Sequence, residues 1–210
     1  MRKLVAILLL IPSFHAIAAA NTGDSNLIGW NEAIIQKANT AADVSYMTEN
    51  EKKVVEYINL SRMQPQLFAS TLLKNYLKGY PALESNDYVL SLQSDLESAT
   101  SLESFLPDTE LYWCAEKWAD FIGTNGMGGH GDFQVRVQNF LDENKRVGED
   151  IDYGFNDPLT IVMRLLIDNG VEGVGHRKAI LNNDYTNIGL SIKPHINFTW
   201  ACVIDFDGKM

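Results

Sequence analysis

The sequence predicts an α+β fold. Apolar residues recur at helical spacing in successive stretches between residues 48 and 181. Strict alternation is concentrated near the C-terminus, at Ile188, Leu190 and Ile192 and again at Phe198, Trp200, Cys202 and Ile204. Helices first and strands last, with little β-α-β alternation, argue against a parallel α/β sheet. In order along the chain, residues 21–47 show no sustained period and read as a loosely attached N-terminal arm. Thr48-Glu49-Asn50-Glu51 fits a capping box and predicts a helix to about Arg62. Residues 66–106 form a longer helical segment. It carries Leu67, Phe68, Leu72, Leu73 and Tyr76, then a Tyr80-Pro81 break, then a stretch near Tyr88–Leu96. Leu111–Ile122 reads as a central helix with Asp108 as its cap. Gly123–Gly131 is a glycine-rich loop that delivers His130. Phe133, Val137, Phe140 and Leu141 predict a short helix, and Glu149–Tyr153 a short strand. Asp157-Pro158 caps a helix whose apolar stripe, Leu159, Val162, Met163 and Leu166, stops at Asn169-Gly170. Arg177–Leu181 reads as one helical turn. Lys193–Asn197 is the loop of a terminal antiparallel hairpin.

Composition narrows the function. Residues 1–20 read as a secretory signal peptide: Arg2 and Lys3, an apolar run from Leu4 to Ile11, then small residues up to Ala20. That run is about half the ~20 residues a membrane span requires, and no later segment is long and apolar enough. The expected location is therefore secreted or periplasmic. The 17 Lys and Arg against 27 Asp and Glu give a formal net charge of −10. Losing Arg2 and Lys3 makes it more acidic, and such a surface repels nucleic acid and anionic membrane. The chain has two cysteines, Cys114 and Cys202. Export allows a disulfide between them, worth about 4–5 kcal/mol for so long a loop. The alternative is two buried free thiols packing as small hydrophobes.

Four residues carry the chemistry: His130, Glu149, Asp168 and His176. Outside the predicted signal peptide only three histidines remain, and two of them stand in glycine-flanked runs with acids nearby, Met127–Phe133 and Leu165–Leu181. Neutral imidazole and carboxylate are the ligands and proton carriers available near pH 7. His130 and His176 are candidate ligands for a divalent metal, zinc first, with the carboxylates orienting them. Each residue also has a plainer reading: a solvated loop histidine for His130, a backbone-bonding histidine for His176, a loop-holding carboxylate for Glu149. Glu172, four residues before His176, competes with Asp168 for the fourth place. No His-Glu-x-x-His helix, Gly-x-Ser-x-Gly elbow or Cys-x-x-Cys pair is present. No catalytic nucleophile is identified.

The same runs carry a resemblance. Gly129-His130, Gly148–Gly154, Gly175–Leu181, Ile188–Leu190 and Phe198…Phe206, with Val54–Arg62 ahead of them, resemble the CAP superfamily. This is the SCP or sperm-coating-protein family, with its cysteine-rich secretory, antigen 5 and pathogenesis-related proteins, here of bacterial type. The resemblance covers roughly residues 48–206. It implies a CAP/SCP-like domain over residues 48–210, built as a three-layer α-β-α sandwich with a mainly antiparallel sheet. It implies a cleft shared by His130, Glu149, Asp168 and His176. The implied ligand is extracellular: a small hydrophobic molecule such as a sterol or fatty acid, a glycan or a peptide. The alternative is a metal-assisted extracellular hydrolase or protease using the same cleft. Two departures stand out. Asp150 occupies a place where the family usually has Asn, and the segment between residues 66 and 106 is longer than usual.

Overall fold

A computed structural model describes residues 23–140 and 145–209. The predicted signal peptide and Leu141 lie outside the described residues. The capping box forms as expected: Thr48 Oγ1 accepts from Glu51 N and Glu51 Oε2 accepts from Thr48 N. It starts α2 (Glu49–Met63), which follows α1 (Glu32–Ala38). The longer segment is helical, as predicted. It comprises α3 (Pro65–Phe68), a wider turn over Ala69–Leu73, α4 (Lys74–Lys78) and, after the Tyr80-Pro81 break, α5 (Asp87–Ser98). A two-residue strand β1 (Leu106–Pro107) leads to the central helix α6 (Thr109–Asn125), whose first turn is capped by Asp108 Oδ1. Then come α7 (Phe133–Val137), β2 (Lys145–Tyr153), α8 (Pro158–Ile167), α9 (Gly175–Ile180) and the hairpin of β3 (Asn187–His195) and β4 (Thr199–Lys209).

The strands lie in the order β1-β3-β4-β2. β1 runs parallel to β3 and the other pairs are antiparallel, so the sheet is mixed but mainly antiparallel. Strand alternation sorts the two faces. Ala201, Val203 and Ile151 meet Ala115, Trp118 and Ile122 of α6. Cys202, Ile204 and Phe206 face the larger core with α2, α5 and α8. The sheet is thus the middle of three layers. Among the described residues, β1 and β2 are its two edge strands.

One expectation is corrected, and one open alternative is decided. The arm is not loose. Leu27, Trp30, Ile35, Ala38, Ala41 and Met47 are all buried in the larger core. Tyr57 Oη donates to Asp24 Oδ2 at 2.6 Å and Asn59 Nδ2 donates to Ala38 O at 2.8 Å, which pins the arm to α2. A turn, a seven-residue helix and further turns bury these residues, so no single period marks them. The cysteines are free. Cys202 does lie in a strand against α6, but its side chain points into the opposite layer, so the sheet separates it from Cys114.

Buried arginines explain two of the family-like motifs. Arg62 Nη1 donates to Ile180 O and Asn182 O, and its guanidinium lies 3.6 Å from the Phe105 ring centre. Burial lowers its pKa to about 10. Arg177 donates to Leu166 O and Ile167 O at the C-terminal end of α8, and to Tyr88 O and Asp95 Oδ2 of α5. It closes the carbonyl end of α8 and fixes where α9, and therefore His176, begins.

Candidate functional site

The structure places the four predicted residues as two separate pairs, one on either face of β2. His130 Nδ1 lies 2.9 Å from Glu149 Oε1, and His176 Nδ1 lies 2.7 Å from Asp168 Oδ1. Glu149 shares a strand face with Ile151 and Tyr153, toward α6. Asp168 and His176 belong to the α8–α9 side. Neither Nε2 atom has a hydrogen-bond partner among the described residues.

The His176 pair is built locally. α8 ends earlier than Asn169-Gly170, because Asp168 itself takes the left-handed conformation, φ 57° and ψ 39°. Asp tolerates this region better than most residues. The turn swings its carboxylate back over the start of α9, where Oδ2 accepts from His176 N at 2.9 Å. Val174 is also left-handed, at φ 48°. A β-branched residue there is strained, and the next two residues are Gly175 and His176. Glu172, the competing acid, is exposed and makes no described hydrogen bond. Asp168 holds His176.

The His130 pair is built from distant pieces. Gly126, left-handed, closes α6. Trp118 Nε1 donates to Gly129 O at 3.1 Å, and Gly129 N donates to Tyr153 Oη at 2.8 Å. Gly131 has φ +51°, and a Cβ there would meet the Trp118 ring at 2.6 Å, so only glycine fits. Arg136 completes the assembly. Its Nη2 donates to Glu149 Oε2 at 2.6 Å and to His130 O at 2.9 Å, and the guanidinium stacks 4.1 Å from the Trp118 ring centre. The Glu149 side chain is 1 % exposed while that of His130 is 51 % exposed. A buried carboxylate therefore presents an open imidazole.

Sequence reasoning missed Arg136, Trp118 and Tyr153 as site residues. Arg136 stands in a five-residue helix with no motif around it, and Trp118 reads as an ordinary apolar helix position. The third histidine is structural: His195 Nε2 donates to Met127 O at 2.7 Å, and its Nδ1 accepts from Asn197 N and Phe198 N.

Buried acids surround the pairs. Asp205 lies opposite Glu149 in the β2–β4 register, and neither of its oxygens has a hydrogen-bond partner. Burial, then the neighbouring Glu149 carboxylate, hold it well above the usual carboxylate range. Asp150 is held well above that range by burial and then by Asp168 and Glu149. Burial raises both the Cys114 and the Cys202 thiols, which is the opposite of a reactive thiolate.

A cavity of about 410 Å³ wraps the β2 edge beside His176 and Asp168, with Asp152, Tyr153, Phe155, Arg164, Tyr76 and Tyr80 among its walls. His130 and Glu149 do not line it, although Tyr153 bonds the residue before His130. Among the described residues, no group of three or more His, Cys, Asp or Glu is placed to hold a metal ion. The donor chemistry offers two imidazoles, each oriented by a carboxylate on Nδ1, and not a complete ligand shell. No helix among the described residues is long and apolar enough to cross a membrane.

A family profile described as the cysteine-rich secretory protein family, CAP, matches residues 55–204. An outer surface protein from Borrelia burgdorferi is 20% identical, with 52% of this chain and 80% of that one covered, at a TM-score of 0.44. An extracellular SCP-domain protein from Bacillus anthracis is 19% identical, covering 58% and 39%, at 0.44. A cysteine-rich secretory protein from Staphylococcus aureus is 18% identical, covering 60% and 40%, at 0.42. The chain thus spans about two fifths of the length of the latter two. No curated protein matches.

Proposed function

The chain belongs to the cysteine-rich secretory protein (CAP) family, and from that premise we propose that it is a secreted binding module. Its two imidazoles take up one divalent metal, zinc first, and its cleft holds an extracellular ligand. The observation that carries the reading is the matched pairing of each histidine Nδ1 with a carboxylate. A carboxylate on Nδ1 keeps the proton there and turns the Nε2 lone pair outward, the arrangement that orients metal-binding histidines. His130 and His176 would be the ligands, with Glu149 and Asp168 behind them. Arg136 on Glu149 and the His176 amide on Asp168 hold those carboxylates in turn. A bound ion would supply a Lewis-acid contact for a ligand oxygen.

Binding is favoured over hydrolysis through a covalent side-chain nucleophile by the surroundings of the imidazoles. No Ser, Thr or Cys side chain is hydrogen-bonded to either ring among the described residues, and both thiols are buried with raised pKa values. Calorimetry with Zn²⁺ tests the reading. One equivalent should bind the parent protein and none the His130→Ala/His176→Ala variant. Equal affinity in the two proteins would overturn it.

A further inference from the structure

The cavity beside His176 holds one unmet demand. The Asp152 side chain is 5% exposed; its Oδ1 accepts from Arg164 Nε at 2.7 Å, and its Oδ2 is buried with no partner. Around it stand rings. Tyr76 and Tyr80 lie 4.7 Å apart between ring centres, and the Arg164 guanidinium lies 4.9 Å from the centre of Phe155. Tyr80 and Phe155 remain 45% and 40% exposed. A volume of about 410 Å³ lies within the range of roughly 300–1,000 Å³ typical of small-ligand sites.

We propose that this cavity is a subsite for a neutral sugar ring of an extracellular glycan, with the Tyr80 and Phe155 rings as its platform and Asp152 as its hydroxyl partner. The cavity itself selects that chemistry. Arg164 is already paired with Asp152, and the Asp168 carboxylate is taken up by the His176 amide and ring, so a charged ligand finds no spare counter-charge. A wholly apolar ligand would leave the buried Asp152 Oδ2 as unpartnered as it is now. A pyranose has an apolar C–H face for the rings and hydroxyls at its rim. Burial raises the Asp152 carboxyl above its usual range, and a hydroxyl serves it in either protonation state because it both donates and accepts. Tyr76 and Tyr80 come from α4 and the turn after it. The long segment before β1 therefore has a role: it supplies one wall of the subsite.

The proposal deepens the binding-module reading and rests on it for the extracellular setting, but the sugar contacts do not require the metal. Saturation-transfer NMR on the purified protein, with chelator present, separates the two. The probes are cellobiose and chitobiose at millimolar concentration, with choline and decanoate as charged comparisons. Ring C–H protons of at least one disaccharide should receive saturation. Tyr80→Ala and Phe155→Ala, both at half-exposed sites, should melt with the parent and weaken binding by about tenfold, or 1.4 kcal/mol. Silence from both disaccharides overturns the proposal. So does binding that survives both substitutions, or a stronger response from choline or decanoate. Loss of Zn²⁺ binding in the calorimetric test would leave this result standing.

Discussion

The two His–carboxylate pairs solve one problem in different ways. At His176 the orienting acid is eight residues earlier in the chain, and the turn between them does the positioning. At His130 the orienting acid comes from another element, and Trp118, Tyr153 and Arg136 reach in from three places to fix the loop. The first half depends on backbone conformation, with Asp168 and Val174 both left-handed. The second depends on tertiary contacts and on a buried charge. The His176 side chain is 22% exposed against 51% for His130. The locally built imidazole is the more enclosed, and the remotely held one is the more accessible to a ligand.

The largest effect should come from removing the cation of the remote half. Arg136→Met leaves the Glu149 carboxylate buried beside Asp205 with only His130 as partner. Stripping one member from a buried pair costs about 3–5 kcal/mol, and partial exposure of Arg136 puts the expectation near the lower end. Chemical denaturation should show that loss. Hydrogen exchange should quicken at Gly129–Gly131 and stay unchanged at His176. Equal quickening at both would show that the halves are not built independently.

A smaller loss is expected in the local half. Asp168→Asn keeps a residue that tolerates the left-handed turn but weakens two charge-assisted bonds, at a cost of about 1–2 kcal/mol. Exchange of the His176 amide should quicken while the His130 loop stays as it was. Glu172→Gln should change stability by less than about 0.5 kcal/mol. A larger effect at Glu172 than at Asp168 would reverse the assignment of the acid.

The same contrast governs what was legible in the sequence. His176 and Asp168 stand in one run, so their pairing could be anticipated, though Glu172 competed until the left-handed turn settled the choice. Glu149 and His130 were each marked by neighbouring glycines. Arg136 carried no mark, because its partners lie 6 and 13 residues away on different elements. The helices α2, α6 and α8 were legible through caps and apolar stripes. The arm was not, since its buried residues follow no one period. The choice between a disulfide and two buried thiols turned on one bit of information, the face of β4 on which residue 202 falls.

A further test links the two pairs. Asp150 sits between them on β2 and feels both Asp168 and Glu149. Its carboxyl is raised in the folded protein. Below the unfolded value of about 4 both states are protonated and folding is indifferent to it. As pH climbs past that value the unfolded chain ionises freely and the folded one resists, so stability is lost. Asp150→Asn should therefore raise the melting temperature at pH 7, by about 2–4 °C for each kcal/mol recovered, and leave it unchanged near pH 3. A gain that is equal at both pH values would show that charge is not the cause.

We propose that the two differently built pairs form a single metal-binding site. A double-mutant cycle on Zn²⁺ affinity, measured by calorimetry on the parent, His130→Ala, His176→Ala and the double variant, tests it most directly. One shared site predicts one equivalent bound by the parent, and either single substitution costing nearly as much as both together. Two equivalents in the parent, or losses that simply add, would show two separate histidines and rule out a shared site.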